Sequence, residues 1–142
     1  MRNDFYLITP AMLEPTQLFK LRQIMEMANT VSRLSTCSRR EVGAIITDTS
    51  LRILSAGYNG RKSGLAHCKN TNPMGLQSAC NCIHAEQNAF AFDIHPKSLI
   101  RILFVTTFPC DSCMKLLAAN NVGAVYYMTE YNYFEKSTIL KI

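Results

Sequence analysis

In the second half of the chain, short β-branched runs alternate with runs of helical period, and this pattern restricts the fold more than any other feature. Ile83 to Phe92 reads as a helix, Leu99 to Thr106 as a buried strand, Cys110 to Ala119 as a second helix and Val122 to Met128 as another strand. Such alternation implies parallel strands joined by crossover helices. Upstream, Leu18, Leu21, Ile24, Met25, Ala28, Val31 and Leu34 recur at helical spacing. They predict a long amphipathic helix from Thr16 to about Leu34, with Pro15 before it and Thr16 as its cap. Met25 and Met27 are expected as core filler. Val42 to Thr47 and Arg52 to Ala56 read as a hairpin across Asp48-Thr49-Ser50. The expectation is a single three-layer α/β domain spanning residues 1–142.

Composition narrows the class. A chain of 142 residues, 48% hydrophobic and 18% charged, is neither disordered nor a low-complexity scaffold. No apolar run reaches the length of a spanning helix, and the opening residues carry an acid and a proline where a signal peptide needs its apolar centre, so the chain is expected in the cytoplasm. In that reducing compartment, those of the six cysteines that stand at close spacing point to metal rather than to bridges. The net charge of +5 favours an anionic partner without specifying which. After Gly57-Tyr58-Asn59-Gly60 the chain loses periodicity up to about Cys82, a loop length that is uncommon unless functional.

Two short motifs carry the chemistry: His84-Ala85-Glu86, and 23 residues beyond it Pro109-Cys110-Asp111-Ser112-Cys113. Cysteines at i and i+3 project from one face of a helix's first turn, where one metal can take both sulfurs. His84 and Glu86 would diverge by about 200° within a helix, so they share a site only where the chain turns into one. The boundary at Ile83 supplies that turn. One histidine and two cysteines leave the fourth tetrahedral position of a zinc ion for water, and a nearby carboxylate can relay that water's protons. Such an arrangement is hydrolytic.

An H-x-E followed by P-C-x-x-C resembles the zinc-dependent nucleobase and nucleotide deaminases. Within that superfamily, His84-Ala85-Glu86-Gln87-Asn88-Ala89, Cys37-Ser38-Arg39-Arg40-Glu41-Val42-Gly43-Ala44 and the Gly57-Tyr58-Asn59-Gly60 loop are similar to deoxycytidylate deaminases of the phage and bacterial type, over about residues 20 to 132. The resemblance implies a cytidine-deaminase-like α/β/α fold with a central mixed sheet of about five strands. It implies His84, Cys110 and Cys113 as zinc ligands and Glu86 as proton shuttle. Ala85 would offer its backbone N–H to the pyrimidine carbonyl, Asn59 would hold the sugar hydroxyl, Arg39 the 5′-phosphate, and Tyr131 would close over the phosphate side. The reaction would convert dCMP to dUMP and ammonia, feeding dTMP synthesis.

The resemblance further implies a homo-hexamer, activated by dCTP and inhibited by dTTP at a second site that includes Gly57, Asn59 and Gly60, with Mg2+ accompanying the triphosphate. Where the family pattern continues with a proline and a glycine pair, this chain has Arg61-Lys62-Ser63-Gly64, and Arg61 and Lys62 could grip a triphosphate. Some family members carry a second, structural zinc, for which Cys37, Cys68, Cys80 and Cys82 are available, with His67 able to replace one of them. Against this, cysteines are often small buried hydrophobes, and Cys80 and Cys82 at i and i+2 are an awkward pair for one ion. For Arg39 and Arg40 the alternative is a solvated charged face. Two other functions compete: a polynucleotide deaminase acting on tRNA or single-stranded DNA, and a zinc-stabilised binding module without catalysis. The first lacks a basic stripe interleaved with aromatics, and the second gives Glu86 no purpose.

Overall fold

The computed structural model describes residues 12–37, 40–60, 82–129 and 140–141. In chain order these form α1 (Pro15–Ser32), β1 (Gly43–Thr47), β2 (Ile53–Tyr58), α2 (Ala85–Ala91), β3 (Arg101–Thr107), α3 (Asp111–Ala119), β4 (Val122–Thr129) and β5 (Leu140–Lys141). The strands make one mixed sheet in the order β2-β1-β3-β4-β5. β1 pairs antiparallel with both β2 and β3, whereas β3, β4 and β5 run parallel. The expected hairpin and the expected crossover helix, α3 between two parallel strands, are both present.

Period-2 alternation sorts the strand residues onto two faces. Ile45, Phe104 and Tyr126 face α1, which presents Leu21, Met25 and Ala28 at i, i+4 and i+7. Phe104 stacks on Tyr126 with ring centroids 5.0 Å apart. Ala44, Ile46, Leu103, Val105, Val125 and Tyr127 face the other way, onto Ala85, Ala89 and Phe90 of α2 and Leu117 of α3. Helices on both faces of a mixed sheet give the α/β/α layering that the sequence implies. The register of β3 against β4 shifts between Arg101 and Ile102. Val122 and Val125 therefore reach the same core although they stand an odd number of positions apart, with two residues between them.

Helix α1 differs from expectation at both ends. Pro15 is its first residue, Glu14 is the N-cap, and Thr16 does not cap it. Proline suits that position because its missing N–H would have no partner there. Leu34 lies beyond the helix and is exposed, and Met27 is 42% exposed, so only Met25 of the two methionines fills core. The contact of α1 with β1 is close enough to need glycine: a Cβ on Gly43 would stand 2.0 Å from the Ala28 carbonyl oxygen. No described helix is long and apolar enough to cross a membrane.

The topology gathers particular chain ends. Because β1 is antiparallel to its neighbours, its entry at Gly43 lies at the same end of the sheet as the exits of β2 and β3. Three residues separate the end of β3 from the start of α3. Ligands in open α/β sheets bind beyond the carboxyl ends of such parallel strands.

Candidate active site

Each metal-ligating candidate sits at a helix N-cap or in the first turn that follows one. Cys110 is the N-cap of α3, in extended conformation, and Cys113 falls in the first turn, fully buried. His84 is the N-cap of α2, and its backbone N–H donates to Gln87 Oε1 at 2.9 Å. The helix thus begins two residues later than the hydrophobic period suggests. Ile83 instead pairs with Gly60 through two backbone hydrogen bonds of 3.1 and 2.7 Å. That bridge places His84 at the turn from strand to helix, which lets His84 and Glu86 serve one site.

The three ligand atoms converge. His84 Nδ1 lies 3.3 Å from Cys113 Sγ and 3.5 Å from Cys110 Sγ. All three atoms fall within 4.8 Å of one another, and they are the one such group among the described residues. Zinc bonds of 2.0–2.1 Å to nitrogen and 2.3 Å to sulfur, at tetrahedral angles, separate ligand N and S by about 3.5 Å. The residues therefore fit zinc with little adjustment. Their protonation fits it too. The hydrogen bond from Cys113 holds the Cys110 thiol down to about 3, opposed by burial and helped by His84 and Ser112. The same bond to Cys110, with burial and the Glu86 charge, pushes the Cys113 thiol up. A divalent metal binds both sulfurs as thiolates and so releases their protons.

Glu86 is 4% exposed, beside this cradle. Burial pushes its carboxyl above the usual range, against the hydrogen bond with Cys113 and the charge of His84. A carboxyl pushed in that direction is shifted the way an acid–base relay uses.

The other sequence candidates divide in two. Ala85 is buried as the first residue of α2, a position whose N–H has no i−4 acceptor within the helix. Gly57 packs on that helix, where a Cβ would stand 2.4 Å from Ala89 N and 2.5 Å from the Ala85 carbonyl oxygen. Gly60 packs on Thr36, 2.4 Å from its Oγ1 by the same construction. Asn59 is 8% exposed and bonds through its amide to the backbone of Arg40 and Val42. Cys37 and Cys82 are half-buried. Arg39, Arg61, Lys62, His67, Cys68, Cys80 and Tyr131 lie outside the described residues.

Sequence reasoning missed three supporting side chains. Ser112 Oγ is 3.2 Å from Cys110 Sγ, Asn88 Nδ2 donates to the Tyr58 carbonyl at 2.8 Å, and Gln87 holds the His84 backbone. Only Gln87 had a legible signal, a glutamine three residues after an N-cap.

The family model for the cytidine and deoxycytidylate deaminase zinc-binding region matches residues 19–129. The deoxycytidylate deaminase of Mycobacterium phage D29 is 32% identical over 117 residues, covering 73% of this chain and 90% of that protein. The deoxycytidylate deaminase of Schizosaccharomyces pombe is 30% identical over 118 residues, covering 76% of this chain but 36% of that longer protein. Among solved structures, the dCMP deaminase of cyanophage S-TIM5 in complex with dCMP and dUMP superposes with a TM-score of 0.72 at 30% identity, over 92% of this chain and 99% of that one. With the matched region spanning both motifs and the converging His84, Cys110 and Cys113, the chain belongs to the cytidine and deoxycytidylate deaminase family.

Proposed function

We propose that this protein is a deaminase domain that hydrolyses dCMP to dUMP and ammonia. The observation that carries the reading is the buried Glu86 beside a His84, Cys110, Cys113 cradle of zinc dimensions. The likeness to a phage enzyme solved with dCMP and dUMP supports the substrate. Zinc in that cradle would supply Lewis-acid activation of a water at C4 of the cytosine. Glu86 takes the proton that this water loses and delivers it to N3. A C4–O bond forms, the C4–N4 bond breaks, and Glu86 passes the second water proton to the departing amine. The Ala85 N–H, at the start of α2, holds the pyrimidine carbonyl, and Arg39 and Tyr131 hold the 5′-phosphate.

The same reading extends to a cytoplasmic homo-hexamer that feeds dTMP synthesis, activated by dCTP with Mg2+ and inhibited by dTTP. Gly57 and Gly60 would act there through the packing of their loop, and Arg61 and Lys62 through charge. Cys37 and Cys82, with Cys68 and Cys80, would hold a second, structural zinc. A deamination assay across cytidine, dCMP, CMP, dCTP and a cytosine-containing oligonucleotide, with zinc counted per chain, tests the reading. Turnover greatest on dCMP is expected. Turnover greatest on the oligonucleotide would favour a polynucleotide deaminase, and ammonia release from none of them would favour a binding module.

A further inference from the structure

The two sulfurs of the cradle stand in unlike surroundings. Cys113 is fully buried and meets the Glu86 carboxyl. Cys110 is half-buried, and on its sulfur converge His84 Nδ1 at 3.5 Å, the Cys113 thiol and the Ser112 hydroxyl at 3.2 Å. The first two of these neighbours are themselves ligand candidates, so an ion in the cradle would take them over. Ser112 is not, and its hydroxyl would still face the sulfur once the ion was bound.

Helix α3 sets this contact. With Cys110 as N-cap, Ser112 is the second residue of the helix and Cys113 the third. Side chains tilt toward the N-terminus of a helix, which brings the Ser112 hydroxyl back to the N-cap sulfur while Cys113 points into the cradle. A metal-bound thiolate can only accept, so the hydrogen bond runs from Ser112 Oγ–H to Cys110 Sγ. Its consequence is electrostatic. With Glu86 ionised, two thiolates and a carboxylate outweigh the charge of a divalent ion beside a neutral imidazole. A donor on Cys110 draws part of that excess away from the metal, which keeps more of its Lewis acidity; hydrogen bonds to a ligating sulfur tune a metal in this way.

We infer that Ser112 is a positioning residue for the metal, one whose hydroxyl donates to the Cys110 thiolate and through that sulfur sets how tightly the cradle holds zinc and how strongly the ion polarises what it binds. This rests on zinc in the cradle and not on the choice of nucleotide. Zinc has no d–d spectrum, so Co2+ in the same cradle serves as the probe, with its sulfur-to-metal charge-transfer band reporting the electron density on the thiolates. Wild type, Ser112→Ala and Ser112→Thr are stripped, then loaded with Co2+ for the band and with Zn2+ for Kd by chelator competition. Subtracting the spectrum of Cys110→Ser, in which the cradle is disabled, isolates the band of the cradle. Ser112 is exposed, so alanine there leaves no buried group unpaired and the metal-free proteins should melt alike.

The expected result is a band moved to longer wavelength in Ser112→Ala and a zinc Kd raised roughly 10- to 100-fold, both returned to wild-type values in Ser112→Thr, which keeps the hydroxyl. A Ser112→Ala whose band and Kd match those of wild type would overturn the inference, as would a Ser112→Thr that behaves like the alanine variant. Wild type that binds neither ion would overturn the zinc reading of the cradle and this inference together. Bound metal without turnover of dCMP would sink the dCMP reading alone, with the band and Kd still deciding the role of Ser112.

Discussion

Two buried carboxyls have opposite fates because their surroundings differ. Glu86 faces a thiol and an imidazole with little water, and burial dominates, so its pKa rises. Substitution by glutamine keeps shape and hydrogen bonding but removes the ability to carry a proton. Glu86→Gln should retain zinc and the melting profile while turnover falls about 100- to 10,000-fold, the usual span for a general acid–base; more than about a tenth of wild-type kcat would displace Glu86 as the relay. The Asp93 side chain is 2% exposed, but the Arg101 hydrogen bond, with the His95 backbone and imidazole, outweighs its desolvation and holds its carboxyl below the usual range. Arg101 in turn donates to the carbonyls of Leu99, His95 and Pro96, so the pair knots the connection from α2 to β3. A depressed folded pKa stabilises the protein above the unfolded value near 4 and stops doing so as pH falls through the folded one. The contribution of Asp93 to the urea midpoint, read as the difference from Asp93→Asn, should therefore hold from pH 7 to 5 and be lost below about pH 4. Asp93→Asn, which leaves the arginine charge buried without a counter-ion, should cost about 3 kcal/mol at pH 7 and become insensitive to that acid step, while activity per folded molecule is kept. An acid-induced drop of the same size in Asp93→Asn would place the sensitive group elsewhere.

At the level of elements, the contact between β2 and α2 sets where the relay and the imidazole stand. Gly57 lies flat on the α2 backbone, Ser55 Oγ donates to the Ala89 carbonyl at 2.6 Å, and Asn88 reaches back to Tyr58. A methyl at Gly57 has backbone on its far side, not a flexible side chain, so the helix must move. Gly57→Ala should lose about 1–3 kcal/mol by overpacking and weaken zinc binding measured by chelator competition, because His84 moves with α2. Stability reduced with zinc affinity unchanged would show that the shift is absorbed in β2. These elements were largely legible from period alone: residues 85–91, 101–107 and 122–129 all fall within two residues of the expected runs. The start of α2 was not, because Ile83 is apolar and in phase with the helix, whereas its pairing with Gly60 joins segments 23 residues apart in the chain. Similarly, Met27 and Leu34 follow the apolar period of α1 but lie outside the arc that the sheet covers.

Across the whole molecule, the chemistry was readable where it is local and unreadable where it depends on register. Cys110 and Cys113 share a helix turn, so their spacing alone pairs them. The meeting of Val42, Asn59 and Thr36 at the same end of the sheet as His84 depends on β1 running antiparallel to both neighbours, which no short window records. That division predicts how the protein answers to metal removal. The cradle is built on α2 and α3, which are fixed by the two-faced sheet core, and among the described residues Cys113 is the one member of the buried hydrophobic core that is also a candidate ligand. A chelator-stripped protein should therefore keep its far-UV circular dichroism and a single cooperative melt, unlike small domains whose metal site is their core. Its Tm should still fall, because free zinc at 100 to 1,000 times Kd stabilises the folded state by about 2.7 to 4.1 kcal/mol, on the order of 10 °C for a chain of this length. Re-addition should restore Tm with one zinc bound tightly at His84, Cys110 and Cys113. If the four remaining cysteines hold a second ion, Cys110→Ser, which disables only the cradle, will still retain one zinc per chain and show a second, smaller Tm step on stripping. Loss of the cooperative transition on stripping would mean that the ion, and not the packing of α2 and α3 on the sheet, holds the site together.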